Sequence, residues 1–246
     1  MKLLFIFCAF VCILPCYAQP SQKPACLTVS YTELARPYEE CSYPSDCRMQ
    51  LNILGNKSVY GMSHDDKDCN PNTSPRYFKN CPIEGDLTFT GELCIPVTYT
   101  EPLPQMDWGL EEGDTTICDY KCQKARTTFR GRTWTAWYTI DIAISDGPWK
   151  LCGLPGLILK AEDSKGDFSF SAYKIKKGQE KDIKCEKTGF MKITARQMAK
   201  DLTEYYKDAN AYYEAVTGRK TNVYIEGVEY KQPSRTACLL EYFDKE

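Results

Sequence analysis

Histidine is nearly missing from this chain: its 246 residues hold one, His64. A Ser-His-Asp or Cys-His arrangement for nucleophilic catalysis would have to run through it. Its setting, His64-Asp65-Asp66-Lys67-Asp68-Cys69, is a polar loop with no apolar flank to build a dry pocket. One imidazole among clustered carboxylates reads as a solvated loop, not a zinc site. Cys-x-x-Cys is also absent, which removes the thioredoxin-type dithiol, and no glycine-rich phosphate loop follows a strand and opens a helix. Neither sign of charge is in excess. Thirty-one Lys and Arg stand against 33 Asp and Glu, a net −2, and that balance offers no basic footprint for nucleic acid. After the first residues no apolar run reaches the ~20 residues that span a bilayer. From these absences we expect no catalytic residues, no metal, no cofactor, no nucleic-acid partner and no transmembrane segment in the mature protein.

What is present begins with an export signature. Met1-Lys2, an unbroken apolar run from Leu3 to Leu14, and Pro15-Cys16-Tyr17-Ala18 have the anatomy of a cleavable signal. Acylation of Cys16 is the competing reading, and Pro15 fits such a site poorly. Residues 1–18 are therefore read as a signal peptide and 19–246 as one exported domain, placed in the periplasm, at the outer membrane or outside the cell. Three of the 14 cysteines leave with the signal, so eleven remain. Behind a secretion signal that number implies disulfides, with at least one thiol left over and a connectivity that spacing does not reveal. Cys118 and Cys122 would be ~13 Å apart on one extended strand, too far to bridge.

The patterning is mainly β, with helix confined to one region. Leu27–Tyr31 and Met49–Leu54 are strand-like, His64 to Pro82 reads as a long surface loop, and Leu87 to Ile175 is nearly continuous strand. Arg130-Gly131-Arg132 and Asp163-Ser164-Lys165-Gly166-Asp167 are hairpin turns in which glycine supplies positive φ. Leu157, Leu159 and Ala161 alternate with Ile158, Lys160 and Glu162, predicting one strongly apolar and one mixed face. Over 193–217, Thr194 and Gln197 form a capping box, Met198, Leu202, Tyr205, Ala209, Tyr212 and Val216 form one stripe, and Gly218 is the stop. The expectation is an α+β, mainly β fold: a curved antiparallel sheet, half-barrel or sandwich, with one long amphipathic helix near the C-terminus.

The most constrained stretch is Gly147-Pro148-Trp149-Lys150-Leu151-Cys152-Gly153-Leu154-Pro155-Gly156-Leu157-Ile158-Leu159. Gly153 and Gly156 bracket Leu154-Pro155 in a sharp bend that feeds a buried strand. Here the chain resembles the GLPGLI family of secreted Bacteroidetes proteins, named for the run Gly153 to Ile158. Asp119 to Ala125, Phe129 to Arg132 and Thr135 to Thr139 look like that family's upstream blocks, in order; Asp163 and Gly166 fall at its downstream turn, and Met49 to Tyr60 is similar to an early strand. Asp119 departs from the pattern, where the family tends to carry glycine. The resemblance implies export and an uncharacterised function. By fold analogy it also suggests the half-barrel with helix of periplasmic lipoprotein carriers.

Trp134, Trp137 and Trp149, with Tyr138, gather beside the motif. They are read first as core, and second as a candidate binding surface, since alternation sends Trp134 and Trp137 to opposite faces. Arg130 and Arg132 at a hairpin tip read as solvated, or as contacts to anionic lipid or a partner. Asp141, Asp146, Glu162 and Asp163 lie near the motif, but nothing in the sequence selects two of them as a catalytic pair. The expected function is a non-catalytic envelope module binding a ligand or partner on a curved sheet, the candidates being outer-membrane transport machinery or an apolar ligand. The alternatives are a glycosidase-like hydrolase using paired carboxylates and a purely structural surface protein.

Overall fold

The computed structural model describes residues 26–42, 45–63, 74–178, 182–220, 223–225, 228–230 and 233–243. The expected signal peptide, His64 and Cys69 lie outside them. In chain order the strands are β1 (Cys26–Ala35), β2 (Ser45–Leu54), β3 (Lys57–Met62), β4 (Arg76–Lys79), β5 (Asp86–Leu93), β6 (Ile95–Pro102), β7 (Gly109–Ile117), β8 (Tyr120–Phe129), β9 (Arg132–Thr139), β10 (Leu157–Asp163), β11 (Phe168–Lys177) and the two-residue β12 (Met191–Lys192). Helices α1 (Ala195–Lys207) and α2 (Ala209–Thr217) follow, then the small hairpin β13 (Val223–Ile225) and β14 (Val228–Tyr230).

One 12-stranded sheet runs β12-β6-β5-β4-β3-β2-β1-β11-β10-β9-β8-β7. All its neighbours are antiparallel except β12 with β6. The sheet does not close, yet it curls strongly. Between β6 and β9 lie eight strand steps, ~38 Å if flat, but Arg130 in the β8–β9 turn reaches Glu101 on β6 at 3.4 Å.

The interior is filled by residues 140–156, which carry no strand. Trp149 packs on Trp134 at 5.4 Å between ring centroids and on Phe129 at 5.9 Å. Tyr31 Oη donates to the Ile158 carbonyl at 2.6 Å. This plug interrupts the nearly continuous strand expected over 87–175. It also buries Leu157, Ile158 and Leu159 together, so the start of β10 has no mixed face.

The hairpin turns lie where glycine placed them: Arg130 and Gly131 take φ of 50° and 71°, and Gly166 takes 71°. Cys118 and Asp119, at 50° and 67°, make a further two-residue turn between β7 and β8. Asp119 thus occupies a left-handed position, which glycine adopts freely and aspartate tolerates. Cys118 and Cys122 do not share a strand, so the extended-strand spacing does not apply to them. Cys81, Cys94, Cys118, Cys122, Cys152, Cys185 and Cys238 are thiols, not the disulfides expected.

Two further expectations are corrected. β4 forms inside the stretch read as a surface loop, pairing with β3 and β5. The long amphipathic helix is two short ones. Thr194 caps α1, its Oγ1 accepting from the Gln197 N–H at 3.0 Å, and Gly218 ends α2 at φ 69°. Between them Asp208 adopts extended backbone, φ −156°, and its carboxylate accepts from the Ala211 N–H at 2.9 Å. An aspartate that caps a new helix competes with continuation of the old one. Among the described residues no helix is long and apolar enough to cross a membrane.

Candidate ligand-binding site

Side chains alternate along a strand, so β1 sends Leu27, Val29 and Tyr31 inward, and Glu33 falls in the same series. Met49 on β2, Tyr60 and Met62 on β3, Tyr77 on β4, Phe89 on β5 and Tyr99 on β6 continue that concave wall. With Trp149 of the plug, with Ala195, Met198, Leu202 and Tyr206 of α1, and with Leu239 to Glu241, they enclose a cavity of about 350 Å³. The wall is apolar and aromatic: Phe89 stacks on Tyr99 at 4.8 Å, and Tyr77 tilts against Phe89 at 5.1 Å.

Glu33 is the unusual group. It is half-buried and lines the cavity. Tyr60 Oη donates to its Oε2 at 2.8 Å. Burial raises the carboxyl to about 7, against the lowering effect of the Tyr60 hydrogen bond. The Tyr60 phenol is raised by burial and by Glu33, and burial likewise raises Tyr77 and Tyr99. Glu241, also on the wall, is held differently: Lys150 Nζ lies 2.8 Å from both its oxygens and 2.5 Å from Glu101 Oε1. Burial raises the Glu241 carboxyl while the Lys150 ammonium opposes the rise.

The predicted residues fall mostly into the scaffold. Trp134, Tyr138 and Trp149 are buried, so the four aromatics do not form one exposed surface. Trp149 alone of them lines the cavity. Trp137 is half-buried on the opposite face, with Lys160 Nζ 4.3 Å above its ring.

Within the motif, Pro148, Leu154, Leu157 and Ile158 are buried and Gly153 and Pro155 are exposed, with Gly153 at φ 94°. Gly147 lies against Ile158, where a Cβ would approach Ile158 Cβ to 2.8 Å, and a Cβ on Gly156 would meet the Thr139 carbonyl oxygen at 2.1 Å. Gly156 is required for that close approach, not for a positive φ.

Arg132 is not solvated. Its guanidinium is buried, pairing with Asp163 at 2.5 Å and Asp167 at 3.0 Å and donating from Nε to the Leu239 carbonyl at 2.7 Å. Arg130 is partly buried, ion-paired to Glu101 and Glu241. The acids weighed as a catalytic pair are dispersed in structural roles. Asp146 pairs with Lys79, Asp163 with Arg132 and Glu162 with Lys160, while Asp141 is exposed. Among the described residues no three His, Cys, Asp or Glu side chains gather into a metal-binding group.

The fold and cavity define an open, curled antiparallel sheet plugged by its own loop, with a helix over the concave face. A family model described as "Protein of unknown function (Porph_ging)" matches residues 127–160. That stretch supplies β9, the plug, the start of β10 and the basic residues Arg130, Arg132 and Lys150. No curated protein matches the chain. Among solved structures the chain is similar to PNGF-II in its P21 form, with TM-score 0.53, 18% identity, and coverage of 72% of this chain and 33% of that one. The C2 form of PNGF-II gives 0.52, 16%, 72% and 32%. The chain thus spans about a third of the solved chains it matches, and at these identities the likeness shows the fold.

Proposed function

We propose that this chain is an exported, GLPGLI-type envelope protein that binds an apolar ligand in the cavity beneath α1 and performs no chemistry on it. The observation that carries the reading is the cavity itself, about 350 Å³ walled by methionine, leucine and aromatic side chains. A recess of this size and lining, with few polar groups, is the usual form of a small-molecule site. Methionines adapt their shape to different apolar occupants.

The hydrolase alternative needs two carboxyl groups free to act across a scissile bond. Both oxygens of Glu241 are engaged by Lys150, and Glu92 is exposed at the cavity's edge, which argues against a carboxyl pair built on Glu33. Export rests on the N-terminal signature and would expose the cysteines to an oxidant. Mass spectrometry under native conditions, on protein taken from its own envelope without detergent, tests both parts. An N-terminus at Gln19 and a retained apolar molecule are expected; an intact N-terminus with no bound molecule would overturn the reading.

A further inference from the structure

The cavity is lined by acids and by no base. Among the described residues its wall carries Glu33, Glu92 and Glu241, and no lysine, arginine or histidine. Glu92 is exposed at the rim, and Glu241 is matched by Lys150. Glu33 is left with a single neutral partner, Tyr60, on Oε2, and Oε1 has none among the described residues. A half-buried carboxylate on an apolar, aromatic wall is stabilised by an opposite charge beside it.

Among the described residues the fully buried bases are already held by acids of their own. Lys79 is held by Asp146 and by the Gly147 and Leu151 carbonyls, Lys150 by Glu101 and Glu241, and Arg132 by Asp163 and Asp167. The rings of Tyr60, Tyr77, Phe89, Tyr99 and Trp149 also line the space, and aromatic faces attract cations.

The geometry points to an amphiphile with one cationic head, an ammonium on an apolar tail, whose nitrogen lies between Glu33 Oε1 and the Tyr60 ring. This inference rests on the cavity being an apolar-ligand site, and it adds the class of ligand. The tail would run along Met49, Met62, Met198 and Leu202. A bound ammonium favours the carboxylate, so association at mildly acid pH should release a proton from Glu33. The other titratable groups around it are Tyr31 on its own strand, Cys47 opposite on β2, Tyr60 on β3, Tyr77 on β4 and Glu241. Burial holds the three tyrosines neutral there.

Calorimetric titration of the full chain with octylamine, octanol and octanoate at pH 6.5 tests the assignment. Octylammonium should bind about tenfold tighter than octanol, octanoate should bind weakest, and buffers of differing ionisation heat should reveal a released proton. In Glu33→Gln, and in Glu33→Leu as a second variant, the ratio of octylamine to octanol affinity should collapse. Equal affinities in the wild type, or a preference that survives both variants, would overturn the cationic assignment and leave the apolar site standing. If none of the three binds, the cavity reading itself fails.

Discussion

Lys79 on β4 and Asp146 in the plug form a buried ion pair, 2.5 Å from Nζ to Oδ1, between parts of the sheet that lie far apart in strand order. Five strand steps separate β4 from β10, ~24 Å along a flat sheet. The same ammonium donates to the Gly147 carbonyl at 2.7 Å and the Leu151 carbonyl at 3.0 Å. A lysine with three acceptors therefore ties the curled wall to the loop that fills it. Replacing it by alanine leaves Asp146 and two carbonyls buried without their donor. We expect Lys79→Ala to cost about 3–5 kcal/mol, read from urea unfolding. Lys79→Met with Asp146→Leu should recover part of that loss, and a double variant no better than the single one would refute the pairing as the cause.

Gly156 should tolerate no side chain. The Thr139 carbonyl oxygen stands where a Cβ would be, at 2.1 Å, and that neighbour is backbone. Gly156→Ala is expected to destabilise by about 3 kcal/mol or more, and Gly156→Val further. Gly166→Ala, at φ 71° with open space around the Cβ, should cost about 1 kcal/mol. Thermal melts that rank Gly166→Ala as the more damaging would show that close packing at β9 is not what requires Gly156.

Glu33 gives the fold a pH dependence of definite sign. Its carboxyl is raised from 4.5 to about 7, so between those values the folded state binds more protons than the unfolded chain. Stability contributed by the neutral acid is full below about 4.5 and is lost as pH rises through about 7. The slope from this group cannot exceed about 1.4 kcal/mol per pH unit. Comparing urea midpoints from pH 5 to pH 8, the Glu33→Gln variant should show a flatter decline than the wild type. An identical decline in both would remove Glu33 as its source.

Much of the architecture was legible in the sequence because local rules decide it. Arg130-Gly131 and Gly166 mark turns, and Thr194 and Gly218 mark helix ends. Other features depend on distant partners. Arg132 looked solvated at a hairpin tip, and its burial rests on Asp163 and Asp167, 31 and 35 residues on. β4 is four residues with a basic residue at each end, too short and polar to show as a strand. The helix break at Asp208 came without glycine or proline. Glu33 did leave a signal: it continues the inward parity of Leu27, Val29 and Tyr31, where a charge is out of place. Nothing local disclosed that α1 would cover it.

The cavity beneath α1 is tested most directly by titration with N-phenyl-1-naphthylamine, a neutral apolar dye whose emission rises out of water. The wild-type chain should bind it at one saturable site. Leu202→Trp, which fills the cavity from α1, should abolish that binding with the melting temperature preserved. Absence of saturable binding by the wild type, or equal binding by Leu202→Trp, would contradict a ligand site between the curled sheet and its helix.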